Sequence, residues 1–246
     1  MNPRNDRATW IQGDAANCSL PPKPRLRPGR LVLLGAPGVG KGTQAELLCA
    51  GLGLCHLATG DVFRAAQCLP EANQTLGMKE AIECMKHGGL VSDTIVLQLI
   101  NERKKCLRCA GGFLLDGFPR TVPQAKVLDE FLEQEKIRLE AVLNYTLPIP
   151  VIIQRLAGRR VCQECNAAFH LTAQPPQVAD VCDHCGGALK QREDDRPEAI
   201  HARMLAYEKD TKPLIDYYLH HGLIRTISPD GPPERIYERT LAILDT

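Results

Sequence analysis

Hydrophobic and polar positions along the chain predict strands that alternate with helices. Residues 31–34 and 113–116 form short apolar runs, the second of which ends in a carboxylate, and such runs are typical of strands covered on both faces. Residues 43–50, after the first run, have a helix-compatible pattern. Near the other end of the chain we predict a helix over 197–219, a strand over 223–227 and a helix over 234–245. This order of elements predicts an α/β fold around a parallel sheet.

A glycine-rich loop directly follows the first predicted strand, with the sequence Gly35-Ala-Pro-Gly-Val-Gly-Lys-Gly-Thr43. A strand, a glycine loop and a helix in this order are what a phosphate loop requires. The glycines let main-chain N–H groups converge on phosphate oxygens, the helix N-terminus adds partial positive charge, and Lys41 supplies a full charge. Gly42 separates Lys41 from Thr43, and this departure from the strict pattern weakens the case for direct Mg²⁺ ligation by the threonine hydroxyl.

Asp116 ends the second apolar run. The carboxyl ends of parallel strands open onto the ligand crevice, so this side chain is a candidate for holding Mg²⁺, through water because Mg²⁺ gives up its hydration shell reluctantly. The alternative is a carboxylate that caps the Gly-Phe-Pro turn that follows it. Arg120, just after that turn, should lie close to any ligand in the crevice.

Two Cys-x₂-Cys pairs, separated by sixteen residues, predict a zinc site formed by Cys162, Cys165, Cys182 and Cys185. Each pair can form a turn whose sulfurs point the same way, and two turns complete a tetrahedron, so the metal would be structural. Zinc–thiolate bonding would order a segment that has too few apolar side chains to fold alone. Two disulfides or an iron–sulfur cluster are the alternatives.

Composition excludes some classes of partner. The chain has 246 residues, enough for one α/β domain with small insertions, and 30 basic against 29 acidic side chains give a net charge of +1. This balance argues against a nucleic-acid partner, and no apolar run approaches the roughly 20 residues that cross a bilayer, so we expect neither nucleic acid nor membrane as a partner. Anion binding must then come from local clusters of arginines.

The first 29 residues differ from the rest because they carry five prolines and no apolar segment before a small-residue cleavage site. We expect a flexible tail rather than a secretory signal, and a cytoplasmic protein. A transit peptide that targets an organelle is the alternative, and Asp6 and Asp14 argue against it. Eleven cysteines in such a chain predict thiols and a metal, not a disulfide framework. Cys106 and Cys109 lack a second pair to complete four ligands, so they are expected to be surface or half-buried thiols.

Several motifs together resemble those of the adenylate kinases and related nucleoside monophosphate kinases. They are the glycine loop, Ala58-Thr-Gly-Asp61, Arg64, Gly89-Leu-Val-Ser-Asp93, Gly112-Phe-Leu-Leu-Asp-Gly-Phe-Pro-Arg-Thr121, Gln124, Gly158-Arg-Arg160 and Arg192-Glu-Asp-Asp195. The resemblance covers nearly everything from Arg30 onward. The cysteine-bearing segment resembles the zinc-containing lid of the long-form adenylate kinases.

This resemblance implies a P-loop three-layer fold with a central parallel sheet, a helical insertion that binds the nucleoside monophosphate (the NMP flap) and a small zinc-stapled lid. It divides the chain into a tail (1–29) and a kinase domain (30–246), the latter into a core (30–58, 92–155 and 195–246), the NMP flap (59–91) and the lid (156–194). Residues 68–75 lengthen the flap relative to the commonest form of the family and are expected to form a loop.

The resemblance also implies the residues of two nucleotide sites. The ATP site would comprise Gly38, Val39, Gly40, Lys41, Gly42, Thr43, Arg155, Arg159, Ala168, Phe169 and Pro233. The AMP site would comprise Thr59, Gly60, Arg64, Gly89, Leu90, Val91, Gly117, Phe118, Pro119, Arg120, Gln124, Arg192 and Arg203. The catalytic set would be Lys41, Asp116, Arg120, Arg159, Arg192 and Arg203. Within these sets Arg155 would stack on the ATP adenine and Gln124 would read the AMP adenine.

The implied activity is reversible transfer of the terminal phosphoryl group of Mg·ATP to AMP, which gives two ADP and balances the adenine nucleotides. The implied cofactors are Mg²⁺ and a structural Zn²⁺, and the enzyme is expected to be a monomer. Such transfer needs two phosphate groups held in line and the spreading negative charge neutralised, which suits arginine. The alternatives are a kinase for another nucleoside monophosphate and a zinc-ribbon binding protein whose kinase-like core is inactive.

Overall fold

The computed structural model describes residues 29–67, 69–102, 107–109, 111–165 and 167–244. The strands are β1 (Gly29–Gly35), β2 (Cys55–Ala58), β3 (Gly112–Asp116), β4 (Ala141–Tyr145), β5 (Arg159–Cys162), β6 (Ala168–His170), β7 (Leu189–Lys190) and β8 (Ile224–Ile227). The helices are α1 (Lys41–Leu52), α2 (Thr59–Gln67), α3 (Leu76–Lys86), α4 (Asp93–Glu102), α5 (Val122–Gln134), α6 (Ile149–Gly158), α7 (Pro197–Ala206), α8 (Pro213–His220) and α9 (Pro233–Leu244).

Five parallel strands form the central sheet in the order β2-β3-β1-β4-β8, and β6-β5-β7 form a separate antiparallel sheet. Alternate residues of β1 enter different layers. Val32 and Leu34 pack with Leu115 on one face, whereas Leu31 and Leu33 pack on the other, and none is more than 2% exposed. Helices α2, α4, α5 and α8 contribute to the first layer, and α1, α6 and α9 to the second. The predicted α/β fold with a parallel sheet covered on both faces is therefore confirmed.

The carboxyl ends of three adjacent strands bring the predicted motifs to one edge of the sheet. Asp116 at the end of β3 is in register with Ala58 at the end of β2 and with Leu33 near the end of β1. The phosphate loop, the start of α2 and the turn after Asp116 all leave this edge, which is where ligands bind in parallel sheets.

Some helices and strands cross the predicted domain boundaries. Gly29 is buried and begins β1. The lid boundary at 155/156 falls inside α6, which continues to Gly158, and the boundary at 194/195 falls inside a 3₁₀ turn, Glu193–Asp195. The ends of these elements reflect backbone hydrogen bonding, which the residue pattern does not record.

The predicted helix over 197–219 is divided. A π-helical segment, Tyr207–Thr211, separates α7 from α8, and Pro213 begins the second helix, where its missing N–H does no harm. In the flap, the described part of the predicted loop, 69–75, contains one 3₁₀ turn, Glu71–Asn73.

Some predictions fall outside the described residues, namely those on the tail (1–28), on Cys68 and on Cys106. Cys109 is half-buried, as expected. Among the described residues, every helix is too short or too polar to cross a membrane.

The first residues of β1 and β3 approach each other so closely that a side chain at Gly112 should destabilise the protein. Gly112 has a φ of +95°, and a Cβ added there would lie 1.7 Å from the carbonyl oxygen of Gly29. We expect Gly112→Ala to lower the free energy of unfolding, measured by urea denaturation, by about 3–5 kcal/mol, because a strained backbone and an overpacked strand pair add up.

Gly222 provides the matched control, since its φ is +69° but an added Cβ would meet no atom within 4 Å. Gly222→Ala should therefore lower the free energy of unfolding only by about 1–2 kcal/mol. Equal losses in the two variants would contradict the packing argument.

Candidate active site

The phosphate loop joins β1 to α1 and leaves open space at the helix N-terminus. Gly40 precedes α1 with a φ of 97°, no side chain caps the helix, and the first turn carries no acidic residue. A Cβ added to Gly40 or Gly42 would meet no atom within 4 Å. The first N–H groups of α1 are therefore available to bind an anion.

The ammonium group of Lys41 is held by the loop itself. Its Nζ donates to the carbonyl oxygens of Gly35 and Ala36 at 2.6 and 2.8 Å. Burial lowers the pKa of Lys41 to about 7; Asp116 opposes this shift and nearby arginines add to it. Without a bound anion, this lysine is therefore poised to lose its proton near neutral pH.

Asp116 stands beside the lysine, and sequence reasoning missed its other neighbour, His56 on β2. His56 Nε2 lies 3.7 Å from Asp116 Oδ2, too far for a hydrogen bond but close enough for an electrostatic contact. Burial opposes ionisation of Asp116, but His56 and Lys41 outweigh it and hold the pKa of the carboxyl below its usual value. The carboxyl group is thus kept as an anion, the form in which it can hold a divalent cation.

Five arginines from separate segments lie close enough together to influence one another electrostatically. They are Arg64 on α2, Arg120 after β3, Arg159 on β5, Arg192 before the 3₁₀ turn and Arg203 on α7. Burial and the charges of its neighbours lower the pKa of Arg120 to about 10 and that of Arg192 to about 9, and they also lower the pKa of Arg203. Arg64 differs, because the attraction of Asp61 outweighs burial and raises its pKa. So many cations in one buried place attract an anion strongly.

Two aspartates at the end of the lid bind two of these arginines, Arg159 and Arg203. Asp195 is fully buried and accepts two hydrogen bonds from Arg159, at 2.7 and 2.6 Å, and one from Arg203 at 3.1 Å. Asp194 forms an ion pair with Arg203 at 3.0 Å, and the surrounding arginines hold the pKa of its carboxyl down against the effect of burial. Arg192 Nε is buried with no hydrogen-bond partner among the described residues, so one strong donor remains available for a ligand.

A pocket between α2, α3 and the turn after β3 opens beside these arginines. Ten of the thirteen residues predicted for the monophosphate site line it: Thr59, Gly60, Arg64, Gly89, Leu90, Val91, Gly117, Arg120, Gln124 and Arg203. Phe118 does not, because its ring is fully buried in the core, and Pro119 and Arg192 are not among the lining residues. Sequence reasoning missed Phe63, Met85, Gly88, Val96 and Asp194 in the lining; apolar periodicity in the flap helices was the available signal for the apolar members.

On the other side of the phosphate loop, Arg155 ties the loop to the segment before α9. Its guanidinium donates to the carbonyl oxygens of Val39 and Pro229 at 3.5 and 3.1 Å. Gln44 donates to the carbonyl of Pro233 at 2.9 Å, so the predicted ATP-site residues of the loop, α6 and α9 lie together. Thr43 is exposed at the start of α1.

The two lid residues predicted for the ATP site lie on β6. The Phe169 ring packs inside the lid core with Cys162, Cys165, Cys182 and Leu189, which leaves the main chain of Phe169 for a nucleotide contact. Ala168 is exposed on the same strand. The ring faces inward because the sulfurs and Leu189 give this small lid its apolar interior.

The four cysteines of the lid form one cluster. Their sulfurs all lie within 4.8 Å of one another, with Cys162 and Cys185 at 3.4 Å and Cys165 and Cys182 at 3.6 Å. A tetrahedral zinc with Zn–S bonds of about 2.3 Å requires sulfurs about 3.8 Å apart, so the cluster fits one metal ion. The sulfurs are too far apart for disulfides, which require about 2.05 Å.

Burial of Lys41 predicts a pH dependence of stability. The unfolded chain keeps this lysine protonated up to its usual pKa of 10.5, whereas the folded protein releases the proton near pH 7. The unfolded state then binds more protons between these values, so the contribution of Lys41 to the free energy of unfolding should rise with pH from about 7 to about 10.

The measurement is chemical denaturation of wild type and Lys41→Met at several pH values in this window. The unfolding free energy of wild type, minus that of Lys41→Met, should increase as pH rises. Lys190→Met, at an exposed lysine of the lid, is the control and should show no such trend. A pH-independent difference for Lys41→Met would contradict the burial argument.

Comparison with known proteins agrees with this geometry. The family model for adenylate kinase matches residues 33–223. The adenylate kinase of Carboxydothermus hydrogenoformans is 47% identical over 209 residues, which are 85% of this chain and 95% of the relative. The adenylate kinases of Caldicellulosiruptor bescii and Streptomyces avermitilis are 47% and 44% identical over 79% and 87% of this chain, and over 89% and 96% of their own lengths. The chain therefore belongs to the adenylate kinase family.

Proposed function

We propose that the protein transfers the terminal phosphoryl group of Mg·ATP to AMP and releases two ADP. The observation that carries this proposal is the clustering of Lys41 and five half-buried arginines beside the phosphate loop and the NMP pocket. A single nucleotide site would not need cations from so many separate segments. Two polyphosphate groups brought together would, because each repels the other.

In this proposal the phosphate loop holds the triphosphate. The open N–H groups of α1 and the ammonium group of Lys41 bind its β- and γ-phosphates, and the lysine exchanges the carbonyls of Gly35 and Ala36 for phosphate oxygens. Arg155 and the segment around Pro233 adjoin the loop, which supports them as contacts of the ATP adenine.

The NMP pocket holds the acceptor. Arg64 and Arg120 bind the AMP phosphate, whose oxygen attacks the γ-phosphorus while the bond to the β–γ bridging oxygen breaks. Arg159, Arg192 and Arg203 neutralise the charge that spreads over the transferred group. Arg192 carries the observation that most favours this role, since its buried Nε has no partner among the described residues.

Both implied metal ions fit residues of this chain. Asp116, an anionic carboxyl beside Lys41, would hold Mg²⁺ through water at the carboxyl edge of the sheet. Mg²⁺ bound there would offset the negative charge of the ATP phosphates. Cys162, Cys165, Cys182 and Cys185 would hold Zn²⁺ as a structural ion, since all four positions are filled by sulfur.

The kinase domain divides into three parts with different roles. We propose a core (30–58, 92–155 and 195–246), an NMP flap (59–91) and a lid (156–194). Residues for both nucleotides come from one chain, which supports a monomer as the active unit.

The activity is tested by initial rates of phosphoryl transfer from Mg·ATP to AMP, GMP, UMP and CMP in a coupled assay. We expect AMP to be preferred, and Lys41→Met to lower kcat at least about a hundredfold because a full charge is lost at the transferring group. Lys190→Met should leave kcat unchanged.

Preference for another base would favour a kinase of that monophosphate. If wild type forms no ADP, the zinc-ribbon binding protein becomes the better hypothesis. If Lys41→Met retains full activity, the role given to Lys41 is wrong although the activity stands.

The metal is tested separately by elemental analysis of protein purified without chelator. We expect one zinc per chain, and Cys162→Ala should lower the melting temperature by roughly 10 °C while transfer at low temperature changes little, because the metal orders the lid rather than reacting. Cys109→Ala, outside the cluster, should retain both the zinc and the melting temperature. Protein that contains no zinc would defeat this proposal.

A further inference from the structure

Gln124 sits in the wall of the NMP pocket with its side chain only 2% exposed. Thr121 caps its helix, α5, by accepting a hydrogen bond from the Gln124 main-chain N–H. Both ends of the carboxamide are engaged. Oε1 accepts from the main-chain N–H of Arg120 at 2.7 Å, and Nε2 donates to Oδ1 of Asp93 at 2.5 Å.

These two partners permit one orientation of the amide. A main-chain N–H group only donates, and a carboxylate only accepts. Turning the Gln124 amide by 180° would place its NH₂ against the Arg120 N–H and its oxygen against the Asp93 carboxylate. Both contacts would become repulsive, so the polarity of the amide is locked from two sides.

A locked amide still has one N–H and one oxygen lone pair to offer a base. Adenine presents an amino donor at C6 and an acceptor at N1, so the amide oxygen can accept from the amino group while the amide N–H donates to N1. Hypoxanthine and guanine present an oxygen at C6 and an N1–H, so their pattern is the reverse. An amide free to turn would match either pattern, whereas a locked one rejects the 6-oxopurines by leaving buried polar groups unpaired.

We propose that Asp93 is a specificity-determining residue that acts through Gln124, selecting 6-aminopurine over 6-oxopurine monophosphates. The inference rests on the proposed function, in that AMP is the acceptor in this pocket. Asp93 is itself a positioning residue, since its contact is with the glutamine amide.

Asp93 also begins α4, where an acidic residue stabilises the helix N-terminus. That role alone predicts a loss of stability without a change in base preference. The ratio of kcat/KM for AMP to kcat/KM for inosine monophosphate (IMP) separates the two roles, because IMP differs from AMP only in the 6-oxo group and the N1 proton.

The test variant is Asp93→Asn, which keeps the size and capping ability of the side chain but can present either an oxygen or an NH₂ to Gln124. At saturating Mg·ATP we expect the AMP/IMP ratio to fall about tenfold or more, through loss of one charge-assisted hydrogen bond that enforces polarity. The KM for ATP should stay within about twofold of wild type.

Asp216→Asn is the matched control, since Asp216 is an exposed aspartate in the first turn of α8, away from the pocket lining. It should leave the AMP/IMP ratio unchanged. Asp93→Ser, which also caps helices well, repeats the test if Asp93→Asn does not fold.

Two outcomes remain distinguishable. A wild-type enzyme that does not phosphorylate AMP contradicts the proposed function. A wild-type enzyme that prefers AMP, together with folded Asp93 variants whose AMP/IMP ratio is unchanged within about twofold, overturns the role of Asp93 alone.

Discussion

Confining several positive charges to one water-poor hollow is the constraint on which the architecture of this protein depends. Lys41 and the arginines around it repel one another, and burial removes the water that would screen them, as their lowered pKa values record. The carboxylates of Asp116, Asp194 and Asp195 offset part of this charge. The positive charge that remains attracts anions, and the phosphate groups of two nucleotides would neutralise it.

This constraint also explains why the charges come from separate parts of the chain. A rigid core that held every cation permanently would carry the full repulsion at all times. Here the cations lie on separate elements, with Lys41 at the start of α1, Arg64 on α2, Arg159 on β5, Arg192 before the 3₁₀ turn Glu193–Asp195 and Arg203 on α7. Phosphate groups bound among these elements would offset the repulsion between their charges.

The sequence alone was sufficient to predict sites whose residues lie close together along the chain. The glycine loop between an apolar run and a helix located the phosphate site, and the spacing of four cysteines located the cluster in the lid. It was insufficient where partners are far apart along the chain. Gln124 meets Asp93 across 31 positions and Arg159 meets Asp195 across 36, pairings that the fold decides. The inward ring of Phe169 likewise depends on what else fills the lid, which no local pattern states.

The shared carboxylate of Asp195 has a mechanical consequence. Its two hydrogen bonds with Arg159 connect β5, at the start of the lid, to the 3₁₀ turn at the end of the lid. Asp195 is fully buried, so leaving it unpaired would be strongly destabilising. Asp195 also accepts a hydrogen bond from Arg203, so one carboxylate connects β5, the 3₁₀ turn Glu193–Asp195 and α7. A substitution that removes it would disconnect all three elements at once and leave two guanidinium groups without their shared partner.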